Sequence, residues 1–429
     1  MHWKSRCKGA CLGCSFEVSP SLGRRVHSGL RRATTEPNRR QGISVNDFSH
    51  ARQLRISVTG DLRFVVSIRP LVVREPEPDE VVVEVRAAPI NPSDLAMLYG
   101  PADLSTARLE RNDGHPAMVA QSRAGWQRQL SPLVGRSVSV GNEGAGVVVA
   151  AGRSEAAQAL LGRVVTMVGG EMYRTHRLLS VRQAIPLPEG AAPIEGASLF
   201  VNPMTVQGFI DTMRREGHTA MVHTAAASNL GQMLAKLCVK EAIPLVAVVR
   251  SEKQRAILDA LGIRHIVDSS QPTFMADLVA AIAQTGATLG FDAVGGGKLA
   301  DRILRAMEQA QVLRGVETSV YGTPVHKQVY IYGRLDMGAT KLGSGFGFYW
   351  GVGGWLLTPR LRQIGREGVR KMRQYAIAER NGIFASAYSD TIGLEDLLDP
   401  ETARAIDRKA TGQKFLLDPS RARPSVPMK

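Results

Sequence analysis

Cysteine is nearly missing from this chain of 429 residues, with four in all. Three of them, Cys7, Cys11 and Cys14, crowd the beginning, and none occurs between residues 15 and 237. No disulfide framework is expected, and a reducing, cytoplasmic setting fits. The three clustered thiols lack a fourth partner at a familiar ligand interval, so no metal is expected there. Cys238 reads as a core residue on the apolar face of a helix. Aromatic side chains are only 5% of the chain and no recognised nucleic-acid motif is present, which argues against a nucleic-acid partner. Long apolar runs are absent too, since a membrane span needs ~18 apolar residues. The nearest stretch, GFGFYWGVGGWLL at 345–357, is thirteen residues with five glycines and reads as a buried strand and turn or a subunit contact. No apolar run follows a basic start, so secretion is not expected.

Positive charge, by contrast, is in excess: 54 lysines and arginines face 39 acids, a net of +15. Such a balance invites an anionic partner. Residues 1–50 alone carry nine basic and three acidic side chains, so the remaining 379 residues hold only +9. The Arg-, Ser- and Gly-rich start lacks apolar periodicity and reads as a disordered, untargeted extension. The rest has the composition and length of two globular domains.

From about residue 219, short β-branched runs alternate with amphipathic helices. TAMVHTAA leads into a helix at 230–241, IPLVAVVR into one at 252–261, HIVDSS into one near 272–284 and ATLGFDAVGGG into one near 298–310. This alternation predicts βαβ units and a parallel sheet covered on both faces, with ligands at the carboxyl ends of the strands. HTAAASNLGQM, at the first such end, sets Ala226, Ser228 and Gly231 against the three glycines of a GxGxxG turn. Ser228 and Asn229 stand beside a helix N-terminus, which attracts a diphosphate. Alone, the stretch is equally a tight turn that holds nothing. Arg250 and Ser251 follow the second strand, where an acidic residue would hold the ribose of NAD. Arg250 is either a fork for the 2′-phosphate of NADPH or a surface cation.

Four further stretches, APINPSDLAMLYG at 88–100, VGNEGAGVVVAAG at 140–152, LFVNPMTVQGFI at 199–210 and DAVGGG at 292–297, together resemble the medium-chain dehydrogenase/reductase superfamily. Within it the chain is similar to the zinc-free branch of quinone oxidoreductases and trans-2-enoyl thioester reductases, from about residue 52 to 417. The resemblance implies an α/β protein: a doubly wound parallel Rossmann sheet plus a GroES-like, β-rich catalytic domain. The expected division is a basic extension over 1–50, a catalytic domain over 51–198 completed by 351–429, and an NADPH-binding domain over 199–350. Short β runs such as RISVTG, FVVSI and EVVVEVRAAP support the β-rich part independently.

Zinc-dependent relatives use a Cys in the first motif and a His before the Glu of the second. Here Asn91, Ser93 and Asn142 stand in those neighbourhoods, and Glu143 alone cannot complete a tetrahedral site, so no zinc is expected. Without a Lewis acid, oxidation of a simple alcohol lacks an alkoxide stabiliser. Reduction of an activated double bond needs only hydride and support for the developing enolate. The resemblance brings Asn91, Asn202 and Thr205 near the nicotinamide. Tyr99 is either a proton donor or a tyrosine packing beneath the cofactor cleft. The cofactor set then comprises Asn202, Thr205, Ser228, Asn229, Gly231, Arg250, Ser251, Val294, Gly295, Gly296, Tyr332 and Gly333, with Tyr99 and Asn91 as catalytic candidates.

Residues 101–140 are longer than a simple link and are expected to form a lid or wall over the substrate. His326 and Lys327 read as surface polar residues before a buried strand, VYIYG. The stretch Phe346–Trp350 is the expected last sheet strand and, by the resemblance, the edge through which a homodimer forms. The expected function is NADPH-dependent, metal-free reduction of a small-molecule conjugated carbonyl: enoyl thioester, quinone or enone. The rival is a non-catalytic NADPH-binding protein that meets nucleic acid or an anionic surface through its basic tail.

Overall fold

The computed structural model describes residues 47–421. Up to residue 46, the expected basic extension and its three cysteines lie outside the described residues.

A six-stranded, all-parallel sheet forms one half. Its strands are β1 (Met221–His223), β2 (Leu245–Val249), β3 (His265–Asp268), β4 (Leu289–Asp292), β5 (Lys327–Ile331) and β6 (Trp350–Gly354), in the order β3-β2-β1-β4-β5-β6. Reversal of direction beside β1 opens a crevice at the carboxyl ends of β1 and β4, where such sheets take ligands. Every residue of β2, Leu-Val-Ala-Val-Val, is buried, as expected where helices cover both faces. Helices α1 (Val201–Arg215), α2 (Asn229–Lys240) and α6 (Leu357–Ala378) pack on one face with α3 (Glu252–Asp259); α4 (Phe274–Thr285) and α5 (Leu299–Leu313) cover the other. In α5 the buried residues Ala300, Ile303, Leu304, Met307 and Ala310 recur at three- and four-residue spacing, so one apolar stripe meets the sheet.

The other half is antiparallel. One sheet orders Ala102–Asn112, His115–Ser122, Arg63–Pro70, Arg52–Val58 and Ser137–Ser139. A second is built around Glu80–Pro89 and Glu143–Ala151, and the chain returns to it late, when Phe415–Leu417 pairs antiparallel with the end of Glu80–Pro89. Ile392, Leu394, Leu397, Leu398 and Leu417 then share one apolar core with Leu54, Val66, Val83 and Met118.

Three expectations are corrected. Residues 101–140 are not a long loop. Their first part is a hairpin, closed by Asp113 and Gly114 with φ of 49° and 77°, that extends the first sheet beside Arg63–Pro70. Two positive φ values make the tight mirror-image turn whose twist suits a hairpin. The hairpin packs toward the helix Pro400–Asp407, with Arg404 donating to the Leu104 carbonyl at 3.0 Å. The last parallel strand begins only at Trp350, because Gly345 and Gly347 hold φ of 90° and 67°, which no strand accommodates. Lys327 is no surface residue: it is fully buried and its ammonium is paired with Glu308. No helix among the described residues is long and apolar enough to cross a membrane.

Candidate functional site

The crevice floor starts at the turn after β1. Ala225 takes φ of 50°, and Ser228 caps α2 by accepting from the Gly231 amide at 3.1 Å. A Cβ on Gly231 would overlap the Ala226 carbonyl, so here the helix approaches the turn too closely for any side chain. Helical geometry leaves the amides of Asn229 and Leu230, in the first turn of α2, without intrahelical acceptors. The turn is tied to its neighbour after β4: Thr224 Oγ1 donates to Asp292 at 2.7 Å, and Asp292 accepts the amides of Val294 and Gly295 at 2.9 and 3.1 Å. Gly333, after β5, packs against Gly295 and Ala293.

Arg250 is exposed just past β2, its side chain extending into solvent; Ser251 caps α3. Gln254 accepts from the Arg250 amide at 2.9 Å and donates to Thr411 at 2.7 Å, which fixes the rim of the crevice to the returning chain.

The opposite wall is polar and buried. The Asn91 amide nitrogen donates to Glu143 Oε1 at 2.9 Å, while Glu143 Oε2 accepts the main-chain amides of Phe200 and Val201 at 2.7 and 2.8 Å. Glu143 therefore sits at the N-terminus of α1, where a carboxylate is favoured. Asp94 accepts the amides of Asn91 and Asn142, both at 2.9 Å. Burial, with Glu143 adding repulsion, pushes Asp94 up to about 7, and burial raises Glu143 as well. Asn91 Oδ1 is buried without a partner, an acceptor left open in the wall. Asn202 and Thr205 lie buried in the first turns of α1, with the Thr205 hydroxyl donating to the Val201 carbonyl at 2.7 Å.

The donor set does not suit zinc. Asn142 donates to Ser93 Oγ at 3.2 Å and Asn91 turns its NH2 group toward Glu143, so amide hydrogens occupy directions in which a cation needs lone pairs. Among the described residues no three His, Cys, Asp or Glu side chains converge.

Two expected site residues turn away. Tyr99 is fully buried and donates its hydroxyl to the Leu397 carbonyl at 2.7 Å. It caps the short helix Pro92–Leu98 and points into the apolar core made with residues 394–398. Tyr332 lies with its ring against Phe209 and its hydroxyl 2.8 Å from His223 Nε2, inside the α1 side of the parallel sheet. Burial pushes His223 down to about 3, so the ring is neutral there.

A group not anticipated from the sequence lies between the two walls. The Lys414 ammonium donates to Ser198 Oγ at 2.9 Å and lies 3.4 Å from Ser386 Oγ, above the Tyr388 ring. Ser198 and the Tyr388 hydroxyl are 2.8 Å apart, and Asn229 donates to Ser386 at 3.2 Å. A lone lysine before the apolar run Phe415–Leu417 was the only sequence signal.

No protein-family profile matches the chain. It is similar to the synaptic vesicle membrane protein VAT-1 homolog of Rattus norvegicus, 27% identical over 230 residues that cover 53% of this chain and 50% of that protein. It is also similar to the mitochondrial enoyl-[acyl-carrier-protein] reductase of Bos taurus, 26% identical over 60% of this chain and 63% of that enzyme. The chain thus spans about half the length of the first of the curated relatives it matches. Among solved structures, a proposed NADPH:quinone reductase from Mesorhizobium loti superposes with a TM-score of 0.63, 23% identical, over 86% of this chain and 98% of that one. That likeness establishes the fold.

Proposed function

We propose that this chain, which has the medium-chain dehydrogenase/reductase fold and whose relatives and structural neighbours include enoyl and quinone reductases, is an NADPH-dependent, zinc-independent reductase of conjugated carbonyls. The observation that carries the proposal is the turn after β1. Its capped helix, its close approach at Gly231 and its two open amides form a cradle for a diphosphate despite two missing glycines.

In this reading Ser228, Asn229 and Gly231 hold the diphosphate, with the turn Val294, Gly295 and Gly296 alongside. Arg250 and Ser251 take the 2′-phosphate and ribose at the exposed rim. Asn202, Thr205, Gly333 and the main chain of Tyr332 border the nicotinamide end, and the open Asn91 Oδ1 accepts from its carboxamide. Bound there, NADPH supplies hydride to the β-carbon of the substrate. The electron pair displaced onto the carbonyl oxygen is then relieved by a proton, at the α-carbon of an enone or enoyl thioester and at oxygen for a quinone. Tyr99 is not assigned that proton, because its hydroxyl is committed to Leu397. Solvent entering the cleft supplies it.

The substrate classes are enoyl thioesters, quinones and small enones. A homodimer belongs to the same proposal: β6 is a sheet edge, and Phe348 and Tyr349 beside it are exposed. So does a reducing, cytoplasmic setting, in keeping with the free thiol of Cys238.

The test is a titration of the full chain with NADPH and NADH, followed by nicotinamide fluorescence, beside Arg250→Ala. Tight NADPH binding, weaker NADH binding and loss of only the NADPH advantage in the variant are expected. If neither nucleotide binds, the proposal fails. A second reading, nucleotide binding without turnover, draws on the burial of Tyr99. NADPH oxidation with a panel of enones, quinones and enoyl thioesters separates the two.

A further inference from the structure

We infer that the solvent face of α6 docks on an anionic membrane leaflet, held at the headgroups by arginines without insertion into the bilayer. This contact is independent of what the crevice binds.

Outside residues 1–50 the chain carries +9. The 22 residues of α6 hold six cations, Arg360, Arg362, Arg366, Arg370, Lys371 and Arg373, against the single acid Glu367. One helix thus supplies +5 of that +9, and the excess is a local patch rather than a thin surplus over two domains.

The inner side of α6 is packed and its charge there is matched. The Arg360 guanidinium lies 3.3 Å from Glu216 and 3.9 Å from Asp211, both of α1, and donates to Thr212 at 2.7 Å. Gln207 of α1 donates to the Met372 carbonyl at 3.1 Å, Arg373 lies over the Phe200 ring, and Ala376 is fully buried. The outer side presents Arg362, Arg366, Arg370 and Lys371, all exposed. Glu367 accepts from Arg370 at 2.9 and 2.6 Å and stands 3.9 Å from Lys371. Among the described residues no carboxylate pairs with Arg362 or Arg366. At Gly365 the chain takes φ of 81° and ψ of 169°, which divides α6 into two arms, and both arms offer cations to solvent.

A plane of phosphates fits this face best. Guanidinium groups bind phosphate oxygens in pairs, and an anionic leaflet asks only for clustered cations within a Debye length, about 8 to 10 Å. A protein partner draws its energy from aromatic anchors and pockets, and single-stranded nucleic acid from rings on which bases stack. No exposed residue of α6 is aromatic. Seven charged side chains in 22 residues keep the helix out of hydrocarbon, and its apolar side already packs on α1, so contact stops at the headgroups.

The experiment is co-sedimentation of the full chain with vesicles of phosphatidylcholine alone or with about one third phosphatidylserine, in about 0.1 M and about 0.5 M salt. The unaltered protein should bind the anionic vesicles at low salt, leave them at high salt and ignore phosphatidylcholine. Arg362→Gln, Arg366→Gln and Arg370→Gln together should weaken binding about 10- to 100-fold, near fivefold for each cation. Arg362→Lys, Arg366→Lys and Arg370→Lys together should keep most of it. A control, Arg108→Gln, Arg111→Gln and Arg128→Gln, removes as many exposed cations from the antiparallel half and should weaken binding less than about threefold. Equal losses in the glutamine variant of α6 and the control overturn the inference, because net charge alone would then be responsible. Undiminished binding of the α6 glutamine variant overturns it by assigning the contact to another surface. A lysine variant as weak as the glutamine one does so too, since charge would not be what binds. So do binding to phosphatidylcholine that salt does not release, and failure of the unaltered protein to bind anionic vesicles at all.

Discussion

The α-carbon of Gly231 lies so close to the carbonyl oxygen of Ala226 that a methyl group on it would overlap that oxygen. Helix α2 is thereby held against the turn it follows. Gly231→Ala must push the helix outward, an overpacking cost of about 1–3 kcal/mol. The expected result is a lower urea midpoint together with loss of nucleotide binding of at least about tenfold; unchanged affinity in a destabilised but folded variant would show that the close approach serves packing alone.

Tyr99 gives a sharp contrast between core and catalysis. Tyr99→Phe removes the hydroxyl from the Leu397 carbonyl and leaves that acceptor unpaired, at about 1–3 kcal/mol. Stability should fall while kcat with the preferred enone or thioester stays within about twofold. A large drop in kcat with unchanged stability would restore Tyr99 as the proton source.

Lys327 and Glu308 form a buried pair, with Thr323 donating its amide and hydroxyl to the same carboxylate at 2.7 and 2.8 Å. Burial alone would raise Glu308, but the ammonium and Thr323 hold it below the usual carboxylate range. Removing one partner strands a charge, so Lys327→Met should cost about 3–5 kcal/mol. Adding Glu308→Leu should recover much of it, and a double-mutant cycle by urea unfolding measures the coupling.

Asp94 and Lys414 make opposite contributions to the pH dependence of stability on the two sides of neutrality. Asp94, raised to about 7, keeps a proton in the folded chain that the unfolded chain has already released, so stability falls as pH climbs from about 4 to 7. Lys414, lowered to about 8, gives up a proton that the unfolded chain keeps, so stability rises from about pH 8 toward 10. His223, pushed down to about 3, works in the opposite sense to Asp94 between about pH 3 and 6.5, and Glu143, raised by burial, works in the same sense, so each contribution is read as a difference between variants. The urea midpoint of Asp94→Asn should gain on that of the unaltered protein as pH climbs from about 4 to 7, and Lys414→Met should lose the rise above about pH 8; differences that stay constant with pH would assign the slopes to other groups.

Much of the parallel sheet was legible because its signals are local. Each strand of β-branched residues hands over to a helix within a few positions, and helices expected at 230–241 and 252–261 span Asn229–Lys240 and Glu252–Asp259. Gly231 stands where the turn pattern required a small residue. The hairpin is also written in the chain, as Asn-Asp-Gly-His between apolar alternations, a local turn signal inside a segment whose length suggests a loop. Tyr99 was open to two readings because a side chain one residue past a helix can face either way. Its direction is decided by Leu397, far along the chain. Lys327 looked solvated because its partner Glu308 belongs to the preceding helix, on the buried side. Lys414, Ser198, Ser386 and Tyr388 are scattered over more than two hundred residues, and no spacing rule relates them.

The pairing of Leu417 with Ala88 has a consequence for how the molecule comes into being. During synthesis the parallel sheet has all its strands once Gly354 has left the ribosome, whereas the sheet begun at Glu80–Pro89 waits for Phe415–Leu417. Until that late strand docks, the antiparallel half exposes an unpaired edge and an unfilled core, the state in which nascent chains are most prone to stick to one another. The same docking delivers Lys414, so a chain interrupted before it would present the crevice without its returning wall.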